Sequence, residues 1–219
     1  MTPSQTDFES FVSNDRPRSS PRFELPALPF ERHSLEPAIT RAQVDLLYSH
    51  YHRSLIDALN ATTASQVAQN SLAELATLKI DSAASYAGEA WNLTVFWHGL
   101  TARPVAVPDA LERAVIHDFG SWRGLASHWR EVLQTSDAPW SWLTASPRGE
   151  LRLVTTRHGE QPSGVTPLLA VALMPDAYRL DFPGDRLAYF DALWPLLNWE
   201  YAALCASVST VPGGGSALV

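Results

Sequence analysis

One cysteine in 219 residues leaves no partner for a disulfide within the chain. That cysteine, Cys205, lies in the apolar run from Ala202 to Val208, where a buried thiol is expected rather than a reactive one. Long hydrophobic runs are also missing. The most apolar stretches, such as Leu168 to Met174, fall far short of the roughly 20 residues that cross a bilayer, so no transmembrane helix and no membrane partner are expected. Positive charge is scarce: 16 Lys and Arg face 23 Asp and Glu, a formal charge of −7, and no basic run forms a tail. That balance excludes broad electrostatic binding to nucleic-acid phosphates and leaves a protein partner or a small organic molecule as the expected ligand. The first residues carry Asp7, Glu9 and Asp15 and no apolar central segment. Neither a secretory signal nor an acid-poor transit peptide fits them, so the expected location is cytoplasmic, with the mitochondrion as runner-up. No Gly-rich phosphate loop is visible, and no Ser-His-Asp or Cys-His spacing supports nucleophilic catalysis.

What is present suits an ordinary globular protein, with 46% hydrophobic and 18% charged residues. Residues 1–21, rich in Ser, Pro, Asp and Arg, read as a disordered arm, and residues 211–219, with Pro212-Gly213-Gly214-Gly215-Ser216, as a flexible tail. From Pro37 to about Asn60 the chain places Ile39, Val44, Leu47, Tyr51, Leu55 and Leu59 at helical spacings, which predicts a long amphipathic helix. A second helix is expected from about Ser65 to Leu100, interrupted near Lys79 to Ser82, and the pair makes a helical hairpin domain over 22–103. Pro104 and Pro108 mark a linker into an α/β domain over 104–210. There, Leu111 to Phe119 and Ser121 to Leu133 read as helices. Trp140 to Thr144 and Leu151 to Thr156 read as a hairpin with alternating burial, and Leu168 to Leu173 as a third strand. Helix is expected to return after Pro175 and again from about Asp185 to Val208. The fold class is therefore α+β: a long antiparallel helical hairpin, then helices around a three-stranded antiparallel sheet.

Several local motifs make that order specific. Leu25-Pro26-Ala27-Leu28-Pro29-Phe30 precedes Leu35-Glu36-Pro37; Trp91-Asn92 precedes Phe96-Trp97-His98-Gly99-Leu100; Trp140-Ser141-Trp142-Leu143 opens the sheet; Trp194 precedes Asn198-Trp199-Glu200. Together, over about residues 23–208, they resemble the iron/manganese superoxide dismutases. The resemblance implies an ion held by three histidines and one aspartate, a donor set that stabilises iron or manganese in two oxidation states.

Counting from Pro37 and back from Asn60 puts the first ligand position on Leu47. The second, directly after Trp91-Asn92, is Leu93, and the last two are Ala172 and Asp176. Hydrocarbon thus stands where the resemblance implies three of four ligands, so no metal is expected and the dismutase reaction is expected to be lost. By the same correspondence the tyrosine guarding the channel is Leu55, the histidine beside it Tyr51, and the tryptophan between the last two ligands Met174. The glutamate that bridges subunits is Pro175, which puts the family-type homodimer in doubt.

The polar remnants invite two readings each. Asp176, near apolar Leu47, Leu93, Ala172 and Met174, is either a desolvated general base or acid, or simply an acid favoured in the first turn after Pro175. Glu89 stands where the iron branch implies a glutamine. It either converges on the old pocket with Asp176 and shares its proton, or faces solvent. The manganese branch's glutamine has no clear match, since Gly159 or Gln161 could fall there; His158 is close by. His50 and His52 diverge by roughly 200° on a helix and cannot chelate one ion together. His52 is expected to be a hydrogen-bonded packing residue, while Trp97, Trp140 and Trp142 form an aromatic shell suited to a core or to an organic ligand.

Three functions follow, in order. The first is a non-catalytic scaffold or assembly subunit. The second is a metal-independent enzyme or small-molecule binder, of elimination, isomerisation or cyclisation type. It would use Asp176 and Glu89 in a pocket of Leu47, Leu93, Ala172, Met174, Tyr51, His52, Leu55, Trp97 and Trp142. The third is a dismutase with a rearranged site.

Overall fold

A computed structural model describes residues 23–62, 71–77 and 82–209 of the chain. The expected arm, 1–21, and tail, 211–219, lie outside the described residues. Thr40 opens the first helix, its hydroxyl accepting from the Gln43 amide at 3.2 Å while its own amide and hydroxyl donate to Asp181 at 2.7 Å each. The helix runs as α1 (Arg41–Asp45), a π-helical stretch (Leu46–His52) and α2 (Arg53–Thr62). The expected long helix is therefore present with a widened turn inside it, at the segment carrying Leu47, Tyr51 and His52.

The second limb comprises α3 (Leu72–Thr77) and α4 (Ser82–His98). Small side chains let α4 pack closely: Ala83, Ala87 and Ala90 are buried in a cluster with Ile56 and Leu59 of α2 and Leu75 of α3. From α4 the chain is tied at once to the second half, the Thr101 amide donating to the Leu196 carbonyl at 2.8 Å and the Asn198 amide to the Gly99 carbonyl at 2.8 Å.

There α5 (Asp109–Phe119) ends on Gly120 at φ 75°, and α6 (Trp122–Thr135) is capped by the Ser121 hydroxyl, which accepts from the Gly124 amide at 2.9 Å. The sheet has the order β2-β1-β3, all antiparallel, from β1 (Trp140–Ala145), β2 (Leu151–Thr156) and β3 (Thr166–Ala172). Every residue of β1 is buried, so the expected alternation is corrected for that strand. As the central strand it is covered on both faces, and Ser141 meets the core by accepting from Trp129 Nε1 at 2.8 Å.

Two helix expectations are also corrected. After Pro175 only a 3-10 turn forms, Pro175–Ala177. The Gln43 side chain binds this segment across from α1: its Nε2 donates to the Asp176 carbonyl at 2.7 Å and its Oε1 accepts from the Leu180 amide at 2.9 Å. The last expected helix is split into α7 (Arg186–Leu193), a 3-10 turn (Trp194–Leu196) and α8 (Trp199–Ser209). Pro195 supplies no amide to the turn before it, and Asn198 Oδ1 starts α8 afresh by accepting from the Tyr201 amide at 3.1 Å. Cys205 is buried, as expected, and among the described residues no helix is long and apolar enough to cross a membrane.

Candidate functional site

The π-helical stretch, α4, β3 and the turn after it bring the anticipated pocket residues to one place. Leu47, Leu93, Ala172, Met174, Trp97 and Trp142 all belong to a single buried cluster, with Tyr51 and Leu55 packed at its edge. Leu47 is 1% exposed, Leu93 and Ala172 are fully buried, and Met174 is 3% exposed. Beside Leu47, Gln43 and Trp97 the packing leaves a cavity of about 10 Å³, room for about one water and no organic ligand. A far larger groove, about 610 Å³, lies elsewhere, among uncharged residues such as Ala114 of α5, Pro147 of the β1–β2 turn and Ala206 of α8.

Asp176 is not enclosed by hydrocarbon. Its side chain is 31% exposed and its carboxylate pairs with Arg179 at 3.2 Å, across one turn. The reading as a desolvated acid gives way here to a partly solvated ion pair beside the pocket.

Glu89 is the buried acid, 3% exposed, which corrects the solvent-facing reading. Its Oε1 accepts from the Tyr51 hydroxyl at 3.1 Å and His158 Nδ1 at 2.8 Å. Its Oε2 accepts from Trp140 Nε1 at 3.0 Å and the Gly159 amide at 2.7 Å. Among the described residues no hydrogen bond links Glu89 to Asp176, so the expected shared proton has no geometry to support it. Burial, then the Glu89 carboxylate, then Asp176 push the Tyr51 hydroxyl's pKa up, keeping it protonated and a donor.

Two glycines allow this cluster. A Cβ on Gly88 would sit 2.1 Å from the Gly159 carbonyl oxygen, and one on Gly159, at φ 72°, would sit 2.8 Å from the Ser85 carbonyl oxygen. The loop can thus press its Gly159 amide onto Glu89. Gln161 reinforces the contact, donating to the Gly88 carbonyl at 3.1 Å and Asn92 Oδ1 at 3.0 Å.

His52 departs from expectation. It is fully buried against Tyr48, at 6.2 Å between ring centroids, yet neither ring nitrogen makes a well-formed hydrogen bond among the described residues. Burial lowers its pKa to about 3, offset slightly by the Ala90 carbonyl, which already accepts from the Thr94 hydroxyl at 2.8 Å. Trp97 Nε1 likewise has no partner among the described residues, whereas Trp142 Nε1 donates to Thr156 at 3.0 Å. Glu89's partners His158, Gly159 and Trp140 were hidden from sequence reasoning because each is at least 51 residues away along the chain. The adjacent pair His158-Gly159, with Gly88-Glu89, was the available signal.

The residues do not fit the metal that the resemblance implies. Of the four positions assigned to ligands, only Asp176 carries a donor atom, and it is committed to Arg179. Among the described residues no group of three or more His, Cys, Asp or Glu is placed to hold an ion.

Comparison with known proteins matches both halves. The family model for the alpha-hairpin domain of iron/manganese superoxide dismutases covers residues 22–101, and that for their C-terminal domain covers 107–204. The chain is 31% identical over 187 residues to the superoxide dismutase [Fe] of Photobacterium leiognathi, spanning 83% of this chain and 97% of that protein. It is 29% identical to that of Salmonella typhimurium and 28% identical to that of Escherichia coli K12, each over 186 residues, 83% of this chain and 96% of the relative. The helical hairpin, the three-stranded sheet and these matches together establish that the chain belongs to the iron/manganese superoxide dismutase family.

Proposed function

We propose that this chain keeps the family fold without the family's metal chemistry and acts as a cytoplasmic scaffold or assembly subunit through protein contacts. The observation that supports this reading is that Leu47, Leu93, Ala172 and Met174 are all buried apolar residues of one core cluster, with no group of three or more His, Cys, Asp or Glu placed to hold an ion among the described residues and a cavity of only about 10 Å³ beside Leu47. Asp176 then serves structure: it sits in the first turn after Pro175 and pairs with Arg179. With Pro175 where the resemblance implies a bridging glutamate, the contact surfaces of this chain differ from those of a family-type dimer. Elemental analysis of purified protein, paired with a superoxide-consumption assay, tests the reading. Sub-stoichiometric iron and manganese with no consumption above background is expected. Stoichiometric iron or manganese with consumption would overturn it in favour of a dismutase with a rearranged site.

A second reading, metal-independent proton chemistry on a small organic molecule, is favoured by one observation. The buried Glu89 carboxylate binds both a tyrosine hydroxyl and a half-exposed histidine. In that reading the chemistry has moved out of the filled pocket to its rim, and Asp176 is not the base.

A further inference from the structure

All four groups around Glu89 can donate, two to each oxygen, and the ionised carboxylate accepts from all four at once. Its place in the site is to accept. The consequence falls on His158. With its Nδ1 2.8 Å from an oxygen of Glu89, the ring donates from Nδ1 to the ionised carboxylate, and the neutral imidazole in that tautomer holds its lone pair on Nε2. The His158 side chain is 55% exposed, against 3% for Glu89, and Nε2 makes no hydrogen bond among the described residues. Three further features fix this ring relative to α4. The Gly159 amide next to it is bound to Glu89 at 2.7 Å, Gly88 leaves room for the loop's backbone, and Gln161 bonds back to the Gly88 carbonyl. An imidazole oriented by a buried carboxylate, with its other nitrogen open to solvent, is the arrangement of a general base.

We propose that His158 is a proton-transfer residue for small, uncharged organic molecules, with Glu89 as its positioning residue; this rests on the second reading above. In the step, Nε2 takes a proton from the reacting X–H bond, whose electron pair stays on the substrate. The imidazolium is opposed by the adjacent Glu89 carboxylate and returns the proton to the product. No electron is transferred, so no oxidant or reductant is needed.

The probe is p-nitrophenyl acetate, whose hydrolysis requires a proton taken from the attacking water as the ester C–O bond breaks and nitrophenolate leaves. Assays of the full chain with a chelator present separate this activity from any metal-dependent one, so stoichiometric metal with superoxide consumption would overturn the scaffold reading without deciding this test. His158→Gln is expected to lower turnover on the order of tenfold with the fold retained. In Glu89→Gln turnover should fall as the ring loses the acceptor that orients it, and nitrogen NMR should show the Nδ1–H tautomer of His158 lost, a change that a merely structural glutamate would not produce. Nitrogen NMR of the unsubstituted protein serves if that variant does not fold: it should show the Nδ1–H tautomer of His158. Equal turnover in His158→Gln, or an Nε2–H tautomer, would overturn the proposal.

Discussion

Among the described residues His52 has no well-formed hydrogen bond, yet it is fully buried, and this makes it a liability in acid. Its pKa is depressed from 6.5 to about 3 in the fold, so between those values the unfolded chain binds the proton and the folded chain does not. Stability from this residue is therefore complete above pH 6.5 and should fall by about 1.4 kcal/mol for each pH unit on the way down to pH 3. His52→Leu replaces a ring with unpaired nitrogens by hydrocarbon, so it should cost little at neutral pH and flatten that slope. Denaturant titrations of both proteins across this range measure it, and parallel slopes would count against His52 as the source. The expected packing role is seen in the burial of the ring against Tyr48, while its hydrogen bonding is weak, because the register of one helix says which face a ring is on, not what lies opposite.

The elements themselves were largely legible, since Ile39, Val44, Leu55 and Leu59 repeat at helical spacing and tryptophans mark β1. Three departures have physical causes outside the local pattern. β1 is buried on both faces because it is the central strand, the helix expected after Pro175 is preempted by Gln43 reaching from α1, and Pro195 divides the final helix. The widened turn of Leu46–His52 had no sequence signature at all. The contact between α4 and the loop after β2 was the least legible, because nothing in the sequence says that Gly88 meets Gly159. This contact can be probed directly. Gly159→Ala demands a positive φ of a side-chain-bearing residue and drives its Cβ against the Ser85 carbonyl, so a loss of about 1–3 kcal/mol is expected. Thermal unfolding gives the number, and hydrogen exchange should rise at Glu89, Gly159 and Gln161 before it rises in the sheet.

On the scale of the whole molecule, one continuous core joins the helical hairpin to the sheet, running from Leu35 and Val44 through Leu93 and Phe96 to Leu143, Leu169 and Phe190. The four positions discussed as metal ligands are part of that joint or at its rim, which is why their chemistry bears on stability. Introducing a single imidazole by Leu47→His should destabilise the protein on the order of 3 kcal/mol, since the new ring would be buried, unpaired and next to Trp97, whose indole nitrogen has no partner among the described residues. Chemical denaturation with and without added manganese checks this; a stable Leu47→His protein that gains stability from the ion would show that the region still supports coordination.

The filled core also acts as a ratchet on the history open to this sequence. A four-ligand cage gives no binding energy until several donors are present together, whereas each donor added alone places an unpaired polar group among Leu93, Ala172 and Met174. Every one-step path toward such a cage therefore runs through less stable proteins before any benefit appears. Solvent-facing positions such as the exposed side of His158 do not bury an added polar group, so the cost of a new donor is lower at the surface of the fold than at its centre.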